Sequence, residues 1–214
     1  MNVSLVSITQ PFISDLKNPE DIIAYCARVS NPTNQLNTET APKLLKFLVK
    51  HKHWSPFEMV DMTLEIKTSR AIAAQILRHR SFSFQEFSQR YAPAFEISRP
   101  LLRRQDEKNR QNSIDDLPPE TVEYYQKLAD EHFEEGLKLY ESMLHSGVAK
   151  ECARSVLPLN TVTRMYMSGT LRSWLHYIDL RGDNGTQLEH QAIARSVGEI
   201  LDTQCPTIAR AMWG

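Results

Sequence analysis

From Val60 to Lys67 the chain alternates without a break: Val60, Met62, Leu64 and Ile66 are apolar, while Asp61, Thr63, Glu65 and Lys67 are polar. A period of two makes a strand with one dry face and one wet face. Such strands belong to antiparallel or mixed sheets, because a parallel sheet covered on both faces calls for near-continuous apolar runs. Residues 2–8 read as a second, short strand. Asn18 and Pro19 open a helix through Ile22, Ile23, Tyr25 and Cys26. Another helix is predicted from about Glu39 to Lys50. Ser69 caps a helix reaching about His79, and residues 84–91 look extended. Residues 99–119 are polar and aperiodic, the pattern of a mobile loop or lid. The longest helix is predicted over Pro119 to Ser146, with Val122, Tyr125, Leu128, Phe133, Leu137, Tyr140 and Leu144 as its apolar stripe and Gly147 ending it. A short helix near Ala149–Val156 stops at Pro158, and residues 160–169 suit a strand. Two helices follow at about 170–180 and 186–203, with Pro206 bounding the second. Strands and helices without a β-α-β rhythm predict an α+β fold, a mixed or antiparallel sheet flanked by helices, in a single domain over residues 1–214.

Charge and composition narrow the function. The formal net charge is −1, without the basic excess of a nucleic-acid binder. Cys26, Cys152 and Cys205 are sparse, odd in number and form no C-x-x-C pair. That argues against a disulfide framework and a cysteine zinc site, and for a reducing, cytoplasmic setting. His51-x-His53 lacks a third ligand at a fixed spacing, so no metal is expected. The N-terminus shows no basic region followed by an apolar run, so no signal peptide is expected. No stretch approaches the roughly 20 apolar residues of a spanning helix, so no membrane is expected either. The chain has 7 glycines and neither G-x-G-x-x-G nor a Walker loop, so any phosphate must be held by side chains.

The densest chemistry lies in Arg78-His79-Arg80-Ser81-Phe82-Ser83-Phe84-Gln85-Glu86-Phe87-Ser88-Gln89-Arg90-Tyr91. Helical spacing puts Gln75, Arg78 and His79 on one face and Ala73, Ile76 and Leu77 on the other, with Arg80 turned away from Arg78. In an extended continuation, Glu86, Ser88 and Arg90 share one side, with Phe87 and Tyr91 on the other. An acceptor, a hydroxyl and a bidentate cation side by side suit a phosphorylated ligand. Taken singly, Arg78 and Arg80 read as helix-end cations and Ser88 as a surface serine. The interleaved Phe82, Phe84 and Phe87 also suit a nucleic-acid stacking platform, which the near-neutral charge disfavours.

Arg78-His79-Arg80, then seven residues, then Ser88 resembles the signature of the flavin-dependent thymidylate synthases. The likeness continues through Gln89-Arg90-Tyr91, and Gln85 stands where many members carry Asn. Other segments resemble that family in order: His53-Trp54-Ser55-Pro56-Phe57-Glu58, Glu151-Cys152-Ala153-Arg154-Ser155-Val156-Leu157-Pro158, Gly169-Thr170-Leu171-Arg172-Ser173 and Asp179-Leu180-Arg181. Thr170 replaces the Asn of several relatives.

The resemblance implies an α+β homotetramer with sites shared between subunits. It implies dUMP as substrate, FAD as cofactor, NADPH as reductant and 5,10-methylenetetrahydrofolate as one-carbon donor. Ser55, Arg78, His79, Arg80, Glu86, Thr170, Leu171, Arg172 and His176 would contact the flavin. Gln75, Arg78, Glu86, Phe87, Ser88, Gln89, Arg90, Arg154 and Arg181 would hold dUMP, with Arg90 and Arg154 at its phosphate. Arg181 and His53 would be catalytic, Arg181 at the uracil edge and His53 near flavin and folate. Helical spacing separates an Arg172/His176 stripe from a packed face of Leu171, Trp174, Leu175 and Ile178, and sends Arg181 elsewhere. No cysteine nucleophile is called for, so the three cysteines read as structural.

Overall fold

A computed structural model describes residues 2–214. The fold is α+β. Its main sheet has the order β1-β2-β6-β3 and every pairing is antiparallel, with β1 at Asn2–Ile8, β2 at Asp61–Ser69, β3 at Ser83–Glu86 and β6 at Val162–Thr170. The alternation in β2 sets which face is dry. Met62, Leu64 and Ile66 lie opposite Gly169, Met167 and Met165, and the five larger side chains are wholly buried. The wet face carries the partly exposed pair Glu65 and Arg164.

Helices cover the dry face. They are α1 (Pro19–Ala27), α2 (Ala41–Lys50), α3 (Arg70–Ile76), α6 (Leu171–Gly182), α7 (Leu188–Gln204) and α8 (Pro206–Trp213). The packed face of α6 is the one the spacing predicts: Leu171, Trp174, Leu175 and Ile178 are buried, joined by Tyr177. Trp174 buries its ring under the sheet and satisfies its indole by donating to the Met62 carbonyl at 2.9 Å. Ile193, Ala194, Val197 and Leu201 of α7, with Phe57, Leu45 and Leu48, complete the cluster.

Four local expectations are corrected. The helix expected to reach His79 ends at Ile76. Arg78 and His79 donate to the Gln75 and Ile76 carbonyls at 3.4 and 3.1 Å, three residues back, so the chain tightens into a turn that swings both side chains off the helix. Leu77 is therefore 39% exposed rather than in the core. The extended run stops at Glu86, because Tyr91 and Ala92 both donate to the Ser88 carbonyl at 3.1 Å and close a turn. The Glu86/Ser88/Arg90 alignment is lost with it.

Residues 99–117 are not an unstructured lid. They contain a small hairpin, β4 (Arg104–Gln105) and β5 (Ser113–Ile114). It is tied down by the Arg104–Asp116 pair at 2.6 Å and the largely buried Arg103–Glu189 pair at 2.9 Å. The fourth correction is α8, unforeseen because Pro206 reads as a stop. Here the proline occupies the first turn, where its missing N–H costs nothing.

The longest helix, α4, spans Pro119–His145, and α5 is the short Lys150–Ala153 turn before a 3-10 turn at Arg154–Val156. Of the stripe predicted for α4 only Tyr140 is buried, while Tyr125 and Leu128 stay 56% and 42% exposed. Among the described residues, α4 packs on α5 and the turn after it, and Phe95 meets Tyr140, so that Val122, Phe133, Leu137 and Leu144 are half-buried and Tyr125 and Leu128 lack cover within the chain. The cysteines are free thiols. Cys205 is buried, its thiol pushed up to about 12 by burial and by Glu20, whereas Cys152 is exposed and has no core role.

Candidate functional site

The sequence-selected residues gather in three places. The first is the turn after α3, where it meets the C-terminal end of α6. His79 sits half-buried there, its ring edge-on to Tyr177 with centroids 5.0 Å apart. Arg181 donates from Nε to His79 Nε2 at 3.0 Å. Gln75 donates to Gln187 Oε1 at 2.7 Å, and its own Oε1 lies 3.3 Å from His190 Nδ1. His190 Nε2 is 3.0 Å from the Tyr177 hydroxyl. Burial, then Arg181, hold the His79 ring below its ordinary pKa. Burial, then Arg181 and His79, bring His190 down to about 4. Both rings are neutral at pH 7, and burial pushes the Tyr177 phenol up. Arg78 and Arg80 project from the same turn into solvent.

The second place is the N-terminal end of α6. Thr170 caps the helix, its hydroxyl accepting from Ser173 N at 3.3 Å. Leu171 belongs to the core and its N–H goes to the Val60 carbonyl at 2.8 Å. Arg172 pairs with Glu58, and the His176 ring packs edge-on against Trp54 at 5.1 Å. The Arg172/His176 stripe thus faces the 54–58 segment that also carries the exposed Ser55. His53 is exposed, its ring 5.9 Å from Phe47.

The third place is the loop after β3. Glu86 is engaged by Arg70 Nη1 at 3.2 Å and by the Thr163 hydroxyl at 2.8 Å, while Arg70 Nη2 donates to the Phe87 carbonyl at 2.9 Å. Arg90 pairs with Glu151 at 2.9 Å, with both side chains exposed. Arg154 lines a cleft of about 380 Å³ with Arg70, Gln89 and Glu151. Gln89 is 5% exposed and its Nε2 has no partner. Ser88 is exposed and its Oγ accepts from Arg90 N at 3.3 Å.

Within one chain, the first cluster and the third are not brought into a single pocket. A larger groove of about 810 Å³ lies elsewhere, among α6, α7 and α8; Asp179 of the Asp179-Leu180-Arg181 segment lines it, but none of the residues expected to hold flavin or nucleotide does. Sequence reasoning missed Arg70, Glu58, Tyr177, Gln187 and His190. Glu58 stood inside a recognised segment. Arg70 follows a capping serine, where a cation opposes the helix dipole, and that oddity was the available signal.

Charge pairing separates the arginines. Among the described residues, Arg90 and Arg172 have carboxylate partners, whereas Arg78, Arg80, Arg154 and Arg181 have none within ion-pair distance. No three His, Cys, Asp or Glu side chains among the described residues form a metal-sized cluster, and no helix is long and apolar enough to cross a membrane.

A four-stranded antiparallel sheet with α6 and α7 on one face, and uncompensated arginines beside it, defines an α+β scaffold whose free cations are suited to anionic ligands. The same fold occurs in the crystal structure of the UMP/dUMP methylase PolB from Streptomyces cacaoi, bound with 5-Br dUMP. The TM-score is 0.84 at 24% identity, over 98% of this chain and 93% of that one. Residues 12–207 match the family described as thymidylate synthase complementing protein. A flavin-dependent thymidylate synthase of Synechocystis is 54% identical over 99% of both chains. A probable flavin-dependent thymidylate synthase of Paramecium bursaria Chlorella virus 1 is 52% identical, again over 99% of both. The chain belongs to the thymidylate synthase complementing protein family, that of the flavin-dependent thymidylate synthases, and is an enzyme.

Proposed function

We propose that the chain methylates dUMP to dTMP reductively, with FAD as resident cofactor, NADPH as reductant and 5,10-methylenetetrahydrofolate as one-carbon donor, tetrahydrofolate leaving. The observation that carries this reading is the set of four arginines, Arg78, Arg80, Arg154 and Arg181, without carboxylate partners in a chain of net charge −1. Uncompensated guanidinium groups favour anionic ligands and suit phosphate by their planar fork. PolB, of the same fold, holds a dUMP analogue.

The residues fit a flavin dinucleotide. Its two phosphates need cations with free donors, and Arg78 and Arg80 supply them. Arg172, exposed with Glu58, is available by exchanging one anion for another. Ser55, His79, Glu86, Thr170, Leu171 and His176 complete the flavin set. Of these, Leu171 acts from the core, fixing the cap of α6 rather than offering a side chain. When bound, the flavin supplies the hydride that completes the new methyl group.

The protein's part is binding and polarisation. Arg90 and Arg154 take the dUMP phosphate, Arg90 leaving Glu151 to do so. Gln75, Arg78, Phe87, Ser88 and Gln89 hold the nucleotide, Ser88 by its hydroxyl and Gln89 by a buried amide that has a donor to spare. Arg181 stands at the pyrimidine edge, where a fixed cation stabilises the anionic ring and raises its nucleophilicity. His53 lies toward flavin and folate.

Residues 1–214 act as a single domain, and four copies form a homotetramer that completes each site from more than one chain. Support comes from the exposed Tyr125 and Leu128 on the apolar stripe of α4 and from the separation, within one chain, of Gln75/Arg181 from Ser88/Arg154. The enzyme works in the cytoplasm, where the exposed thiol of Cys152 stays reduced. The test is to titrate the purified protein with FAD and then add dUMP, NADPH and methylenetetrahydrofolate. A bound-flavin spectrum and dTMP by chromatography are expected. Protein that stays colourless at saturating FAD contradicts the reading.

A further inference from the structure

The proposed role of Arg181 raises a question of charge: what holds the guanidinium in place without cancelling it. Three other arginines of the site are held by acids, Arg172 by Glu58, Arg90 by Glu151 and Arg70 by Glu86. Each pair neutralises the cation it orients. Arg181 is anchored differently. Its Nε–H donates to His79 Nε2 at 3.0 Å. That ring nitrogen must therefore carry the lone pair, which puts the imidazole proton on Nδ1. Among the described residues, the remaining N–H groups of the guanidinium take no partner, so the fork stays open to a ligand.

We propose that His79 is a positioning residue for Arg181, a neutral acceptor that fixes the guanidinium by its Nε while leaving the whole positive charge to the substrate. This rests on the reading that Arg181 meets the pyrimidine. A carboxylate in the same place would orient Arg181 equally well. It would also cancel most of the field that stabilises an anionic ring, because opposite charges in contact act on a third group as a dipole.

The surroundings keep the acceptor neutral. Facing His79 are Tyr177 and Arg181 from α6, His190 from α7, and Phe82 from its own turn, with no carboxylate among them. Arg181 itself disfavours a second cation beside it, and His79 is held below its ordinary pKa by burial and by that charge. Tyr177 steadies the ring edge-on and is steadied in turn by its hydroxyl contact with His190. Protonating His79 removes the lone pair and sets two cations against each other, which releases Arg181. An acid limb in kcat follows.

Three variants of the full-length flavoprotein separate the possibilities: His79→Gln keeps a neutral acceptor near the Nε2 position, His79→Glu substitutes a charged one, and His79→Phe removes it. The readouts are kcat against pH and FAD affinity by absorbance titration. With every variant assayed at saturating FAD, so that any loss of the His79 flavin contact is read separately in the titration, the Phe and Glu variants lose about 100-fold or more in kcat, the scale of one lost electrostatic stabiliser. The Gln variant comes back to within about tenfold of wild type and loses the acid limb. A Glu variant as active as Gln, a Gln variant as poor as Phe, or an acid limb persisting in Gln overturns the proposal. If wild type makes no dTMP, the functional reading of Arg181 fails, and the anchor is then decided by ¹⁵N shifts of His79. Protonation at Nδ1 with Nε2 accepting supports it, and protonation at Nε2 overturns it.

Discussion

His190 lies wholly buried with Tyr177 and Arg181 of α6 on one side and Gln75 and His79 from the α3 end on the other. An unfolded chain titrates such a ring at its ordinary value of 6.5, but burial and the neighbouring Arg181 bring it to about 4 in the fold. Between those values the unfolded state binds more protons, so stability falls as pH falls through that window. The full loss is about 3 kcal/mol, of which about 2 kcal/mol appears between pH 7 and pH 5. Urea unfolding at the two pH values should show this for wild type and a markedly smaller drop for His190→Gln. Equal drops in both would contradict it. Residue chemistry was only partly legible beforehand. Arg78, His79 and Arg181 stood in recognisable segments, but the contact between His79 and Arg181 joins positions about a hundred residues apart, and no spacing rule encodes it. Arg70 and His190 carried no motif at all; tertiary packing alone gives them partners.

Among elements, β2 was the most readable because a period of two survives any context that buries one face. Its neighbour β6 shows what such patterns leave out. Gly169 sits opposite Met62, and a Cβ there would come within 2.6 Å of Phe82, whose ring packs against Trp174 at 4.7 Å. Gly169→Ala should therefore destabilise by about 1–3 kcal/mol, the usual scale for overpacking. Urea midpoints measure it, and Phe82→Leu in the same chain should make the alanine cheaper, since the smaller side chain frees the space. Additive losses would show that Phe82 is not the obstacle. The ends of elements were the least readable. At α3 a tightened last turn overrode the helical spacing of Arg78 and His79. At Pro206 the same residue type serves as stop or start, and only the chain beyond it decides. In residues 99–117 the lack of periodicity hid a hairpin held by Arg103 and Arg104 rather than by apolar packing.

At the scale of the whole molecule, the sheet and its covering helices follow from the sequence, whereas the use of α4 does not. Its stripe was visible as a period, but periodicity cannot say whether the cover comes from the same chain or another. Tyr125 and Leu128 remain exposed here. If α4 packs between copies, Leu128→Glu should shift sedimentation velocity toward smaller species while the far-ultraviolet circular dichroism is kept. An unchanged sedimentation profile would remove α4 from the assembly. If a second copy completes each site, the division into clusters has the same origin, since residues that meet only between chains need not approach within one.

The central claim is that arginines left uncompensated within the chain bind and activate a pyrimidine nucleotide beside a flavin. Tritium release from C5-labelled dUMP, with FAD, NADPH and methylenetetrahydrofolate, tests it most directly in wild type and Arg181→Ala. Wild type should release tritium only when all components are present, and Arg181→Ala should bind FAD yet release none above background. Normal release by Arg181→Ala, or none by flavin-loaded wild type, would contradict the account.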